Sequence, residues 1–557
     1  MKQTKRKNLC LALALAMLLS ALSGCRKTEQ TAEEPSNDID ASNVVSGETL
    51  TSGAAADSVF SLAVDYEKPL NPITTRSTLN QMVDELVYDR LFIVDENFNL
   101  SSRILEDWYY SKNENGSGTW VLTVRDGIMM HDGSTLTAED ISYSLSRVYT
   151  SGSTFYQQQM GRVYVSAFQG QVYVSGDYAN GLLPWRLSVP IIKSYTNSIK
   201  EAVPVGSGPY TYSEDRSCLE KFEDYENADL LPLDTIYLRS YTGPEELITE
   251  YESALVDLVL NDPTSVSNMG YGGKNETREF ATTNMHFLCF NSRSEFFQYE
   301  PYRTAMLWLI DRDTIANTVL DGAMDPSVLF IHPNSSIYDS EFSEAYGFDP
   351  ARAKIELERG GCRDLDGDGM LEFALSGSKV EISINFVVCA DNAEKVAAAR
   401  QIASDMEAIG LGVHMRELTW NEYLSVLRTT DDEDDEDDDE TPDWTWDVFY
   451  GEIAIQPDWN CLTLFIGDWQ EDGTLNYGRW YVPELESAMN EFIGAKEDDR
   501  AAARTAMLQA YVQNCAFLTV GFEKREVLSH IGVIKGMDPN QYCVFTDLTK
   551  WTIDLDS

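Results

Sequence analysis

Residues 125–144 read RDGIMMHDGSTLTAEDISYS, and the fold class turns on how this stretch divides. Just upstream, Gly118-Thr119-Trp120-Val121-Leu122-Thr123-Val124 has the β-branched and aromatic content of a strand. His131 sits in the turn that follows. At Thr137-Ala138-Glu139-Asp140 a threonine N-cap and two early carboxylates suit the positive end of a helix, which predicts that Ile141, Leu145, Val148 and Tyr149 share one buried face. The alternation recurs outward. Val59–Val64 is strand-like, and Tyr302, Ala305, Met306, Leu309 and Ile310 form a helical stripe. A second stripe of Ala399, Ile402, Ala403, Met406 and Ile409 stops at Gly410, a natural left-handed cap. The chain reads as mixed α/β, without a repeat at solenoid or propeller periods.

Composition removes several functions. The 557 residues are 43% hydrophobic and 11% aromatic, enough to bury a large core. With 91 acidic residues against 42 basic, the formal charge of -49 repels a phosphate backbone, so no nucleic-acid partner is expected. The nine cysteines never fall as C-x-x-C, and His131, His286, His332, His414 and His530 are scattered, so the spacing advertises no metal site and no cofactor. Asp364-Leu365-Asp366-Gly367-Asp368-Gly369 has the opening pattern of a calcium loop, but position 12 is Leu375 rather than glutamate, and a tight acidic turn is the expected reading. The ten consecutive acids Asp431 to Glu440 read as a solvated surface insertion. No nucleophile elbow, phosphate loop or dinucleotide fingerprint occurs, and Ser376-Gly377-Ser378-Lys379 lacks the companion motifs of S-x-x-K enzymes. No catalytic residue is assigned and no enzyme is expected.

The 125–144 stretch closely resembles the signature of the extracellular solute-binding proteins of family 5, the oligopeptide, dipeptide and nickel receptors of ABC importers. Other pieces recur in that family's order: Leu70-Asn71-Pro72, Tyr88-Asp89-Arg90-Leu91, Gly206-Ser207-Gly208-Pro209-Tyr210, Ile310-Asp311-Arg312, and Phe348-Asp349-Pro350-Ala351-Arg352-Ala353. The resemblance implies a two-lobed periplasmic-binding-protein-like α/β fold that closes over its ligand about a hinge. It places a first lobe at 58–284 with an inserted subdomain at about 76–184, a second lobe at 285–524, and a return to the first lobe at 525–557. Crossing segments are expected near Met285–Asn291 and Phe517–Val527. Gly206 and Gly208 suit either backbone flexibility or a tight loop before a strand.

The resemblance also implies where ligand sits. Trp420 matches a tryptophan that lines the pocket of peptide-binding members, and Trp446-Asp447-Val448 matches a Phe-Asp strand preceding an aspartate that pairs with the peptide α-ammonium. Counting without gaps brings that aspartate's position to Gln456, and an amide cannot replace the charge-assisted bond at full strength. The expected ligand-binding residues are Trp420, Gln456 and Trp459, with Glu452 or Asp458 as charged partner, facing Arg76 or its neighbours on the first lobe. The expected ligand is an oligopeptide-like solute. A nickel chelate or oligosaccharide, or a ligand sensor without transport, is the alternative. The implied partners are ABC permease and ATPase subunits.

The N-terminus supports an exported location. Lys2, Lys5, Arg6 and Lys7 precede an apolar run from Leu9 to Leu22, the form of a secretory signal over residues 1–24. It ends in Leu22-Ser23-Gly24-Cys25, which resembles a bacterial lipobox; the alternative is a soluble secreted protein cut near the same place. Acylated Cys25 would anchor the protein on the extracytoplasmic face of the membrane, each buried methylene contributing roughly 0.8 kcal/mol. Residues 25–57 are polar with no aromatic residue and read as a disordered tether. An odd seven cysteines follow, so at least one is unpaired or paired between chains.

Overall fold

The computed structural model describes residues 59–112, 118–152, 155–176, 181–195, 203–263, 270–375, 378–428, 446–468, 474–495 and 497–555. Cys25, the signal segment, the tether and the acidic run 431–440 lie outside them.

Three sheets organise the described residues. In the first lobe Ser61–Val64 runs parallel to Thr235–Ser240, which pairs with Cys218–Lys221, and that strand pairs in turn with Tyr210–Tyr212. Beside it an antiparallel sheet orders Leu105–Lys112, Gly118–Val124, Gln171–Gly176 and Val163–Phe168. A third and larger sheet is ordered Leu258–Asn261, Phe517–His530, Asn275–Phe290, Val448–Ala454, Ser383–Cys389 and Gly412–Leu418. The long strands Asn275–Phe290 and Phe517–His530 occupy the segments where lobe crossing was expected. Beyond them Val533, Ile534, Val544, Phe545 and Trp551 pack into the first-lobe core.

The signature stretch folds as its residues dictate. Thr137 and Asp140 form a reciprocal capping box at the head of the helix Ala138–Thr150, with Asp140 Oδ2 accepting from the Thr137 amide at 2.8 Å. Ile141, Leu145 and Val148 are buried, but Tyr149 is 37% exposed. At about 100° per residue, position 149 lies roughly 80° around from Ile141, at the edge of the buried face. The later helices run over Glu300–Leu309 and Ala393–Ala408, and Gly410 adopts φ +94 as the left-handed cap. All seven cysteines from Cys218 to Cys543 are free thiols, four of them buried. The Asp364 loop is a turn closed on itself: the Gly367 and Gly369 amides donate to the Asp364 carboxylate at 2.6 and 3.1 Å.

The recurrent motifs meet in one place. The His131 amide donates to Gly206 O at 3.0 Å, its Nε2 lies 3.0 Å from Gly208 O, and its ring packs edge-on to Phe222. Asp89 accepts from Ser207 Oγ at 2.6 Å and from Arg103, whose guanidinium also covers the Tyr225 ring. His131 is thus structural in this lobe. Gly206 and Gly208 have no positive φ, and their role is close approach: a Cβ on Gly206 would lie 2.2 Å from Val87 O, and one on Gly208 2.5 Å from Val87 C. The flexible-turn reading of these glycines gives way to a packing one. Gly208→Ala should therefore cost about 1–3 kcal/mol in chemical denaturation, since backbone must move to admit the methyl. Gly494→Ala, where nothing lies within 4 Å, should change stability by less than roughly 0.5 kcal/mol.

Candidate ligand site at the lobe junction

The strand Val448–Ala454 lies antiparallel against Asn275–Phe290, with His286 opposite Glu452 and Asn284 opposite Ala454. Alternation puts Asn284, His286, Tyr450 and Glu452 on one face, where the second crossing strand adds Glu523. His286 Nδ1 is 2.8 Å from Tyr450 Oη, and Asn284 Nδ2 donates to both Glu452 and Glu523. Lys395, in the first turn of Ala393–Ala408, places its ammonium on Glu452. Burial pulls the His286 imidazole and the Lys395 ammonium below their ordinary pKa values. For Glu523 burial acts upward, but His286, Arg525 and Asn284 together hold its carboxyl below the usual range.

Trp420 reaches the same end of the lobe. It opens the helix Trp420–Arg428, its amide donates to Asp391 at 3.3 Å, and its indole stacks on Tyr423, whose hydroxyl donates to Tyr450 O at 2.8 Å. The turn from Asp391 to Lys395 therefore links Trp420 to Glu452. Asp458 and Trp459 go elsewhere. Asp458 is buried and accepts from Arg186 Nε at 2.5 Å, an ion pair between the second lobe and a first-lobe turn. Trp459, held at φ +56 and also buried, packs edge-on against Phe98 of the first lobe at 4.9 Å and against Phe522 at 5.8 Å. Gln456 is half-buried and its carbonyl accepts the Trp459 amide at 2.9 Å. Arg76 is exposed, two residues ahead of the helix Thr78–Val87.

The six expected residues thus fall into a Trp420–Glu452 group and a Gln456–Asp458–Trp459 turn packed against the other lobe, with Arg76 exposed ahead of its helix. A cavity of about 200 Å³ lies at the junction, with Asp95, Glu96, Glu279 and Asp538 on its wall, and none of the six lines it. Sequence reading missed Asn284, His286, Glu523, Lys395, Arg186 and Phe98. A signal existed for two of them: in Thr282-Thr283-Asn284-Met285-His286-Phe287 the polar residues at 284 and 286 alternate with apolar ones, marking a polar face in a buried strand.

Two sheet-based lobes joined by paired crossing strands, with polar and aromatic side chains gathered where they meet, define a receptor that holds its solute between lobes. Residues 99–460 match the model for bacterial extracellular solute-binding proteins, family 5 Middle, and the chain belongs to this family. Among curated relatives it is similar to the oligopeptide-binding protein AppA of Bacillus subtilis, 22% identical over 444 residues that cover 75% of this chain and 77% of AppA. Among solved structures it resembles a nickel ABC transporter protein from Bacillus halodurans, with a TM-score of 0.68 at 17% identity over 89% of this chain and 99% of that one. It also resembles the ABC transporter substrate-binding protein CtaP from Listeria monocytogenes, with a TM-score of 0.65 at 15% identity over 89% and 99%. Among the described residues no helix is long and apolar enough to cross a membrane.

The Arg186–Asp458 pair predicts a conformational effect. Asp458→Asn removes the charge of a buried carboxylate that meets Arg186 across the lobes, which weakens that contact and favours separated lobes. Small-angle scattering of the ligand-free variant should give a larger radius of gyration than the parent. An unchanged radius would show that other contacts hold the lobes together.

Proposed function

We propose that this protein captures an oligopeptide-like solute outside the cytoplasm by lobe closure and delivers it to an ABC permease driven by its ATPase. The observation that carries the reading is the convergence of Trp420 with a polar strand face at the lobe junction, in a chain whose family binds solutes. An indole there offers broad, sequence-tolerant contact area, as a receptor for varied peptides requires. The named specificity of AppA supports a peptide. The lobes are assigned to 58–284, 285–524 and 525–557, with the inserted subdomain at about 76–184. The function is binding without turnover, and Cys25 carries the lipid anchor.

Two observations favour a second reading, a receptor for a polar ligand without a free α-ammonium, such as a metal chelate or oligosaccharide. Gln456 stands where the counted register expects an aspartate, and Asp458 is already paired with Arg186. Calorimetry with matched peptides bearing free and acetylated N-termini separates the readings. We expect measurable binding of both with little preference for the free amine, and Trp420→Ala should cost about 1–3 kcal/mol of that binding. No heat with any peptide would remove the oligopeptide assignment, and a strong preference for the free amine would restore an ammonium-selective pocket.

The anchor is tested in cells. Cys25→Ser should move the protein from the membrane to the soluble fraction, with the signal segment retained or miscleaved. Unchanged membrane retention would refute lipidation at Cys25.

A further inference from the structure

Three metal-ligand side chains that the sequence keeps far apart come together at the lobe junction. His286 lies on one crossing strand, Glu452 sits opposite it on the neighbouring strand, and Glu523 comes from the second crossing strand. One ligand-type atom from each lies within 4.8 Å of the other two. His286 is 3% exposed. Its Nδ1 is fixed by Tyr450 Oη at 2.8 Å, which aims Nε2 into the cluster. There Nε2 is buried without a hydrogen-bond partner among the described residues, and the nearest carboxylate oxygen, Glu523 Oε2, is 3.7 Å away. Asn284 holds the two carboxylates side by side by donating to both.

Carboxylates held this close call for a cation between them. Two cations partly answer that need from the sides: the Lys395 ammonium rests on Glu452, and Arg525 Nε lies 3.5 Å from Glu523 Oε1, while the Lys395 side chain is 25% exposed and springs from a first helical turn. We propose that His286, Glu452 and Glu523 bind a divalent first-row transition cation of the zinc type, which displaces the Lys395 ammonium from Glu452. One imidazole and two carboxylates suit such a cation better than calcium, which takes six to eight oxygens. Tyr450 behind Nδ1 plays the orienting part that outer-shell partners play at metal-bound histidines. Three protein donors leave coordination positions open to water or to the cargo. Because the donors come from three adjacent strands, a bound cation would also tie together the strands that link the lobes.

The inference does not rest on the peptide reading, and its test uses no peptide. The purified chain, stripped with chelator and dialysed, is titrated with zinc chloride by calorimetry, and cobalt(II) is added separately to read its visible absorption. One high-affinity site is expected, weakened at least about 10–100-fold in His286→Asn and in Glu523→Gln. In Lys395→Met, which removes the competing ammonium, binding should tighten. The triple change Asp364→Asn, Asp366→Asn and Asp368→Asn, in the exposed acidic loop, should leave the site intact. Circular dichroism checks that each variant folds, and the gain expected for Lys395→Met keeps the test decisive if the losses trace to misfolding. Absence of a high-affinity site, a site untouched by His286→Asn, or a site abolished by the acidic-loop variant would each overturn the proposal.

Discussion

The antiparallel pairing of Asn275–Phe290 with Phe517–His530 is the constraint on which the rest depends, because the other strands of the largest sheet build outward from these two. At about 3.4 Å per residue the longer strand reaches roughly 50 Å, enough to serve both lobes. Its ladder is not regular. The register shifts between Ala281 and Met285 and again between His286 and Phe287. Where the ladder breaks, other partners take over: the Thr283 amide donates to Gln541 Oε1 at 2.7 Å, the Ile455 amide to Thr283 O at 3.0 Å, and Thr282 Oγ1 to Glu523 O at 2.6 Å. Bulges re-aim side chains and increase local twist. Here they place Asn284 and His286 beside Glu523, so the irregularity that lets the strands bend also builds the polar cluster.

The lobes do not meet through these strands alone. Val94, Phe98 and Leu182 of the first lobe join the second-lobe core, and Arg186 meets Asp458 beneath them. Those contacts act on closure as a ligand does, by stabilising one arrangement over the other. A solute that bridges the lobes adds its differential affinity to what Phe98, Trp459 and the ion pair already contribute. Weakening these contacts lowers apparent affinity without touching the solute, because a smaller fraction of the protein is competent to close.

What was legible in the sequence was local. The Thr137 and Asp140 cap, the buried face from Ile141 to Val148 and the Gly410 stop follow from neighbours within a turn or two, and the structure has all three. Tyr149 missed because it lies at the edge of the same face. The motif stretches were visible as motifs, yet their purpose was not, since the Gly206–Gly208 loop is explained by Val87 and His131, far away in sequence. The site was least legible. Arg186 and Asp458 are 272 residues apart, and Asn284 and Glu523 are 239 apart, so spacing carries no trace of either contact. Alternation at 284 and 286 marks a polar face but says nothing of which carboxylates it meets.

Glu452 and Asp458 were both candidates to receive a cationic ligand group, and their surroundings separate them. Freeing Asp458 would break its ion pair with Arg186 and leave a buried carboxylate to be compensated anew, a cost of several kcal/mol for a pair of this kind. Glu452 is paired with a lysine whose stem is partly in water, so an incoming ammonium can take its place while Lys395 regains hydration. That exchange is ammonium for ammonium, and its net gain is small because the bond formed and the bond lost are of one kind. A pocket built on such an exchange accepts an amine without demanding one. On the proposed peptide reading, discrimination among solutes would then fall to the indole of Trp420 and to how well the solute lets the two lobes meet, contacts that select shape and apolar area over terminal charge.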